Sequence, residues 1–207
     1  MTWLSRNWDL VAIALGQHVA IALTALVIAC AIALPVGIVA ARHPRVYALA
    51  IGVSGLLYTI PTLAFLALLI PLVGLGRTNA IIAMVAFSLV VLIRNVVAGI
   101  RGVSLDVVDA ARGMGMSARQ LLLRVELPLA APVIVAGLRV AAVTVISVTV
   151  VAAYVNAGGL GTLILNGIAS DHAPKIWSGA LTACALAVAV DTALALLERR
   201  LLRNSTG

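Results

Sequence analysis

The chain alternates between long apolar runs and short basic connections, and few folds can accommodate that alternation. A helix needs about 20 apolar residues to cross the hydrocarbon core of a bilayer. Inside that core only helices and closed barrels satisfy every backbone N–H and C=O group. Five stretches meet the helical requirement, roughly 18–41, 46–73, 79–100, 130–154 and 176–197. The expected fold is all-α: a polytopic membrane protein with five transmembrane helices, the second of them broken, forming one domain over residues 1–207. A mean hydropathy of +1.19, with 63% hydrophobic and 10% charged residues, removes the soluble alternative, which needs a charged exterior.

The formal charge of +7 invites a nucleic-acid reading, but the arginines cluster at the ends of apolar runs, where a positive-inside bias puts them. No nucleic-acid partner is expected. Five crossings place Arg42, Arg45, Arg101, Arg112, Arg119, Arg124, Arg199, Arg200 and Arg203 on one side. Arg6, Arg77 and Lys175 fall on the other. This imbalance predicts an outside N-terminus and a cytoplasmic C-terminus. Trp3, Trp8 and Trp177 then lie near outer span ends, where an indole rests among headgroups. Cys30 and Cys184 sit within apolar runs and read as small hydrophobes. The opening "MTWLSRNWDL" lacks a compact basic region, and the run after it exceeds a signal-peptide core, so it reads as a retained span.

The second run, "LLYTIPTLAFLALLIPLVGLG", contains Pro61 and Pro71, each of which removes a backbone donor. A break there belongs inside a bundle or beside a wet cavity. It is either a structural kink or a broken helix lining a solute pathway, as transporters often use. Tyr58, Thr59, Pro61 and Thr62 are the candidate lining residues on the second reading.

Residues 102–128 depart from their surroundings. "DAARGMGMSARQLLLRVELP", Asp109 to Pro128, carries five of the chain's 21 ionised side chains, counting Lys, Arg, Asp and Glu together. Ser104 can cap a short helix with Asp106 in its first turn, and Ala110 and Ala111 give that helix a smooth face for close approach by another protein. Gly115 can take positive φ and end it. Ser117 and Gln120 fit a capping box for a second helix, with Ala118, Leu121, Leu122 and Val125 on one face and Arg119 and Arg124 reaching away. Pro128 suits the first turn of the next membrane helix. The expectation is a helix–hinge–helix at the cytoplasmic surface; a plain amphipathic tether is the alternative.

The spacing of this segment resembles the cytoplasmic loop of ABC importer permeases, E-A-A-x3-G-x9-I-x-L-P, which docks into a groove on the ATPase subunit. Asp109, Ala110, Ala111, Gly115, Val125, Leu127 and Pro128 occupy its positions, with Asp for Glu and Val for Ile. The segments "IRNVVAGIRGV" and "NAGGLGTLI" extend the likeness over nearly the whole chain. They resemble permeases of the glycine betaine, carnitine and choline type, with the five-span core fold of small amino-acid-type permeases. Methionine-type permeases share the loop and the glycine segment and are the alternative. The resemblance implies two separate ATPase subunits holding ATP and Mg, a second permease subunit (identical or paralogous) and an extracytoplasmic solute-binding protein. It also implies a bacterial inner-membrane location and alternating access. Family members usually carry Gly where this chain has Asn156; Tyr154, Asn156, Gly158 and Gly159 join the candidate pathway.

No catalytic, cofactor or metal site is expected within the chain itself. The single lysine, Lys175, follows Pro174, and no G-x-x-x-x-G-K phosphate loop occurs. Aromatic residues make up 4%, too few for an aromatic box around a quaternary ammonium, so high-affinity recognition is expected on the binding protein. Arg94, Arg139 and Asp191 lie one to two turns inside their spans, and Asp191 is expected to pair with Arg139 or Arg94. "GVSG" around Ser54 mimics a serine-nucleophile motif, but no histidine stands at matching depth and the protease reading is rejected. A self-sufficient secondary transporter, with the insert as mere linker, is the remaining rival.

Overall fold

The computed structural model describes residue 3 and residues 6–205. In chain order its elements are α1 (Trp8–Arg42), α2 (Pro44–Thr59), α3 (Thr62–Val73), α4 (Arg77–Arg101), α5 (Leu105–Gly113) and α6 (Ala118–Leu121). A π-turn (Leu122–Glu126) then leads into α7 (Leu127–Val151), a 3₁₀ turn (Ala152–Val155), α8 (Leu160–Ala169) and α9 (Ala173–Ser205). Among the described residues there is no strand. Four helical stretches are long and apolar enough to cross a membrane, five if the bent pair α2–α3 counts as one span.

The core forms where small residues let helices close in. On α1, Ala22, Ala25, Ala29, Ala33 and Ala40 are buried along one stripe facing α4, the most enclosed helix. A Cβ on Gly37 would stand 2.5 Å from Val96 Cγ1, and one on Gly137 of α7 would stand 2.4 Å from Asn95 Cβ. Glycine at these crossings permits backbone approach, which is how membrane helices gain dispersion contacts without a hydrophobic drive between them. α4 thus contacts α1 on one side and α7 on the other, and α9 packs on α7 at the periphery. The large aliphatic side chains that remain exposed, such as Leu23, Leu56, Leu68 and Val188, suit a lipid surround.

α1 begins at Trp8, well before the expected edge at residue 18. Gln17 and His18 do not interrupt it because both are used internally. Gln17 Oε1 accepts from the Gly159 backbone N–H at 3.0 Å, and buried His18 makes a 3.0 Å hydrogen bond through Nε2 to the Ile146 carbonyl. The α2–α3 pair bends by 100° at Ile60–Pro61. Pro61 caps α3, while Pro71 sits inside it without ending it. Buried Asn79 of α4 braces the turn after α3, its Nδ2 donating to the carbonyls of Leu66 (3.1 Å) and Gly74 (3.0 Å). The Gly76 N–H donates to the Val155 carbonyl at 2.7 Å and ties this corner to the 3₁₀ turn.

Pro128 sits in the first turn of α7, as expected, but that helix does not start from a loop. α6, the π-turn and α7 form one continuous rod, in which the Leu127 N–H reaches back to the Leu122 carbonyl. Proline at 128 has no N–H to offer the preceding turn, and the wider turn relaxes the backbone there.

Candidate functional site

The insert folds on itself before it meets anything else. α5 ends in a glycine-dependent cap: Gly115 adopts φ +81°, its N–H donates to the Arg112 carbonyl at 2.9 Å, and the Met116 N–H donates to the Ala111 carbonyl at 3.2 Å. This pair of crossed bonds needs a left-handed residue, for which glycine carries no Cβ penalty. α6 then starts with both bonds of a capping box. Ser117 Oγ accepts from the Gln120 N–H, and Gln120 Oε1 accepts from the Ser117 N–H at 2.8 Å. Ser104 stands at the N-cap of α5, but its side chain makes no cap bond; only its carbonyl accepts, from Val108.

Between the two arms lies a small core of Val108, Ala111 and Leu121, flanked by Val103, Met116 and Val125. This changes the reading of the alanine pair. Ala111 is 2% exposed and packs inward, whereas Ala110 is exposed beside Asp109. The approachable face is therefore Asp106, Asp109, Ala110 and Gly113, with Asp109 held by Arg112 at 3.4 Å. Ala118, expected on the packed face, is exposed.

Two arginines fasten the base of this hook, one by pairing with Glu126 and one by tying the end of α4 to the end of α1, and neither link was read from the sequence. Glu126, at the end of the π-turn, is 4% exposed and forms an ion pair with Arg42 at the end of α1. Arg101 donates to the last carbonyls of α1, Ala41 at 3.0 Å and Ala40 at 3.1 Å, and its guanidinium lies 5.1 Å from the centroid of the Tyr47 ring. Cation and carbonyl meet favourably at a helix C-terminus. A glutamate preceding Leu-Pro and an arginine closing an apolar run were the available signals, but 84 residues separate them.

Deeper in the bundle, Asp191 of α9 receives Arg139 of α7 in two hydrogen bonds, 3.0 and 3.2 Å long. Glu198, not anticipated, takes a third bond from the same guanidinium at 2.6 Å. Arg94 is not part of this group. Because one cation serves two carboxylates, Arg139→Gln should destabilise the detergent-solubilised protein more than Asp191→Asn, which leaves Glu198 as partner. The Arg139→Gln/Asp191→Asn double variant should melt above the sum of the single losses; strict additivity of the melting shifts would exclude the coupling.

The residues around the broken helix divide into two groups. Tyr58, Thr59, Pro61 and Thr62 line a hollow of about 270 Å³ together with Phe87 and Thr144. Tyr58 and Thr59 also line a second hollow of about 450 Å³, together with Arg94. Tyr154 and Asn156 are exposed at the 3₁₀ turn, outside both hollows. Asn156 has φ +58° and occupies the left-handed cap of that turn, where asparagine substitutes for glycine; the Ala157 N–H bonds back to Ala152 behind it. Gly158 and Gly159 lie against α1: a Cβ on Gly158 would stand 2.6 Å from Gln17 Oε1. Ser54 is buried, and its hydroxyl donates to the Ala50 carbonyl at 2.6 Å.

A multi-pass helical bundle that presents a folded polar hook and hydroxyl-lined hollows is a transport component of the membrane. The chain belongs to the family of binding-protein-dependent transport system inner membrane components, whose family model matches residues 33–203. It is 40% identical over 201 residues to the carnitine transport permease protein OpuCB of Listeria monocytogenes, covering 97% of this chain and 92% of that one. It is 37% identical over 185 residues to the choline transport system permease protein OpuBB of Bacillus subtilis, covering 89% and 85%. The fold is that of a chain in the inward-facing MetNI methionine ABC transporter, with TM-score 0.81, 21% identity and coverage of 94% and 97%.

Proposed function

We propose that this chain is the permease subunit of an ABC importer for quaternary ammonium osmoprotectants, driven by ATPase subunits that grip residues 102–128. The observation that carries the proposal is the self-contained hook. It has its own apolar core, two satisfied helix caps and a short-side-chain face around Ala110 turned outward. A mere tether needs none of these. The glutamate at its base is ion-paired to α1, which gives a displacement of the hook a path into the bundle.

In this reading the hook faces the cytoplasm and the N-terminus lies outside. Two ATPases close on Mg-ATP and pull two permease subunits toward an outward-open state, and hydrolysis returns them. An extracytoplasmic binding protein delivers the solute to a pathway beside Tyr58, Thr59, Pro61 and Thr62, with Tyr154 and Asn156 at its mouth. The names of the carnitine and choline relatives support the solute class.

The test is reconstitution with the partner ATPase and binding protein. Uptake of labelled carnitine, glycine betaine or choline should require ATP and cease without the ATPase. Uptake by the permease alone under an ion gradient would establish a secondary transporter instead. ATP-driven uptake of methionine with none of the three solutes would move the chain to the amino-acid branch.

A further inference from the structure

Arg94 differs from the other cations near it. Arg42 and Arg139 have carboxylates and Arg101 has carbonyls, whereas Arg94, exposed on α4, has no hydrogen-bond or ion-pair partner among the described residues. It lies about 10 Å along the helix from Arg101 by helical rise. A guanidinium at that depth is costly unless an anion or water meets it.

Its position supplies a reason. Arg94 lines a 450 Å³ hollow together with Gly55, Tyr58, Thr59, Val90 and Val91, a size suited to a small solute. Tyr58 and Thr59 also line the neighbouring hollow that contains Pro61, Thr62 and Phe87. Tyr58 is 50% exposed there, with its ring set edge-on to Phe87 at 6.3 Å and 87°. An aromatic face attracts a quaternary ammonium, and the C-terminal end of α2 at Thr59 carries the negative pole of that helix. No acidic side chain lines either hollow. The hollow is thus dipolar, lined both by an unpartnered cation, Arg94, and by the aromatic ring of Tyr58 beside the dipole-negative helix end at Thr59.

We infer that Arg94 pairs with the solute's carboxylate, so that this permease favours zwitterionic ammonium carboxylates such as carnitine and glycine betaine over the bare cation choline. The inference rests on the importer reading above and names the charge type within its solute class. Choline would leave the guanidinium unpaired and meet its repulsion. The other anion that could meet Arg94 is a lipid phosphate, which would serve every solute alike.

The test compares uptake by the complete importer, with the same binding protein throughout, so that a changed ratio between solutes reports on the permease. Wild type should take up carnitine and glycine betaine in preference to choline. Arg94→Gln should lower uptake of the two zwitterions roughly 10- to 100-fold, the loss of one hydrogen-bonded charge pair, and leave choline at or above its original rate. Arg94→Lys should fall between. If Arg94→Gln does not reach the membrane, the Lys variant decides by whether its zwitterion-to-choline ratio drops. An unchanged ratio, equal loss for all three solutes as a lipid contact would give, or a wild-type preference for choline overturns the inference while leaving the importer reading intact. Absence of ATP-driven uptake of all three by wild type removes both.

Discussion

Replacing Ala111 with Glu should deplete the membrane of folded permease, whereas the same change at Ala110 should leave it folded and uncoupled. The two positions are adjacent and chemically identical, so the contrast isolates burial. Ala111 is 2% exposed between Val108 and Leu121, and a carboxylate there has no cation in the small core to meet it. Burying an unpaired charge costs several kcal/mol, on the order of 3–5, enough to open so small a unit. Ala110 looks outward, so Ala110→Glu adds bulk and charge only where a partner would sit. Quantitative immunoblotting of membranes and co-purification of the ATPase separate the outcomes. Normal abundance of Ala111→Glu would contradict the packing described here. Wild-type uptake and ATPase binding by Ala110→Glu would show that this face docks nothing.

Arg42→Gln should be more damaging than Glu126→Gln, although both remove the same ion pair. The Glu126 side chain is 5% exposed and that of Arg42 39%. Without Arg42, a buried carboxylate is stranded, at a cost of about 3 kcal/mol. Without the charge on Glu126, a guanidinium that already reaches water loses one partner, at a cost of about 1 kcal/mol. The double variant should recover part of the Arg42→Gln loss. Thermal unfolding in detergent gives the stability order, and ATP hydrolysis per solute transported gives the functional one. If the pair transmits motion, both variants should waste ATP even where they fold. Equal melting shifts would refute the asymmetry, and unchanged stoichiometry would reduce the pair to a structural brace.

What could be read from the chain was local or periodic. Ser117 and Gln120 stand three apart, and the capping box they suggested is formed by both bonds. Gly115 was expected to turn left-handed, and it does, whereas the nearby Gly113 does not. The break in the second span was expected from Pro61 and Pro71, and it falls at Pro61. Other features depended on contacts across long separations or on competition between neighbours. Nothing in the order of residues distinguishes Ala111 from Ala110 until the second arm of the hook folds back. Glu126 and Arg42 are 84 residues apart in the chain and meet only in the folded bundle. Ser104 had the right chemistry for a side-chain cap but does not use it. Pro128 stands in the first turn of α7 as the rule for helix starts expects, but the π-turn that leads into it without a loop was not legible. The beginning of α1 was misjudged because Gln17 and His18 look like an interruption until Gly159 and Ile146 supply their bonds.

The π-turn also fixes the relative phase of the hook and α7. Each residue of an α-helix advances the chain by about 100°, so the extra residue accommodated between Leu122 and Glu126 rotates the α6 end of the rod against the rest. A chimera that dropped one residue from that interval would keep the Val108, Ala111 and Leu121 core of the hook. It would nevertheless rotate that core relative to α7 and to the pairing of Glu126 with Arg42. The residue count across this interval is therefore as much a part of how the hook is aimed as the residues on its face.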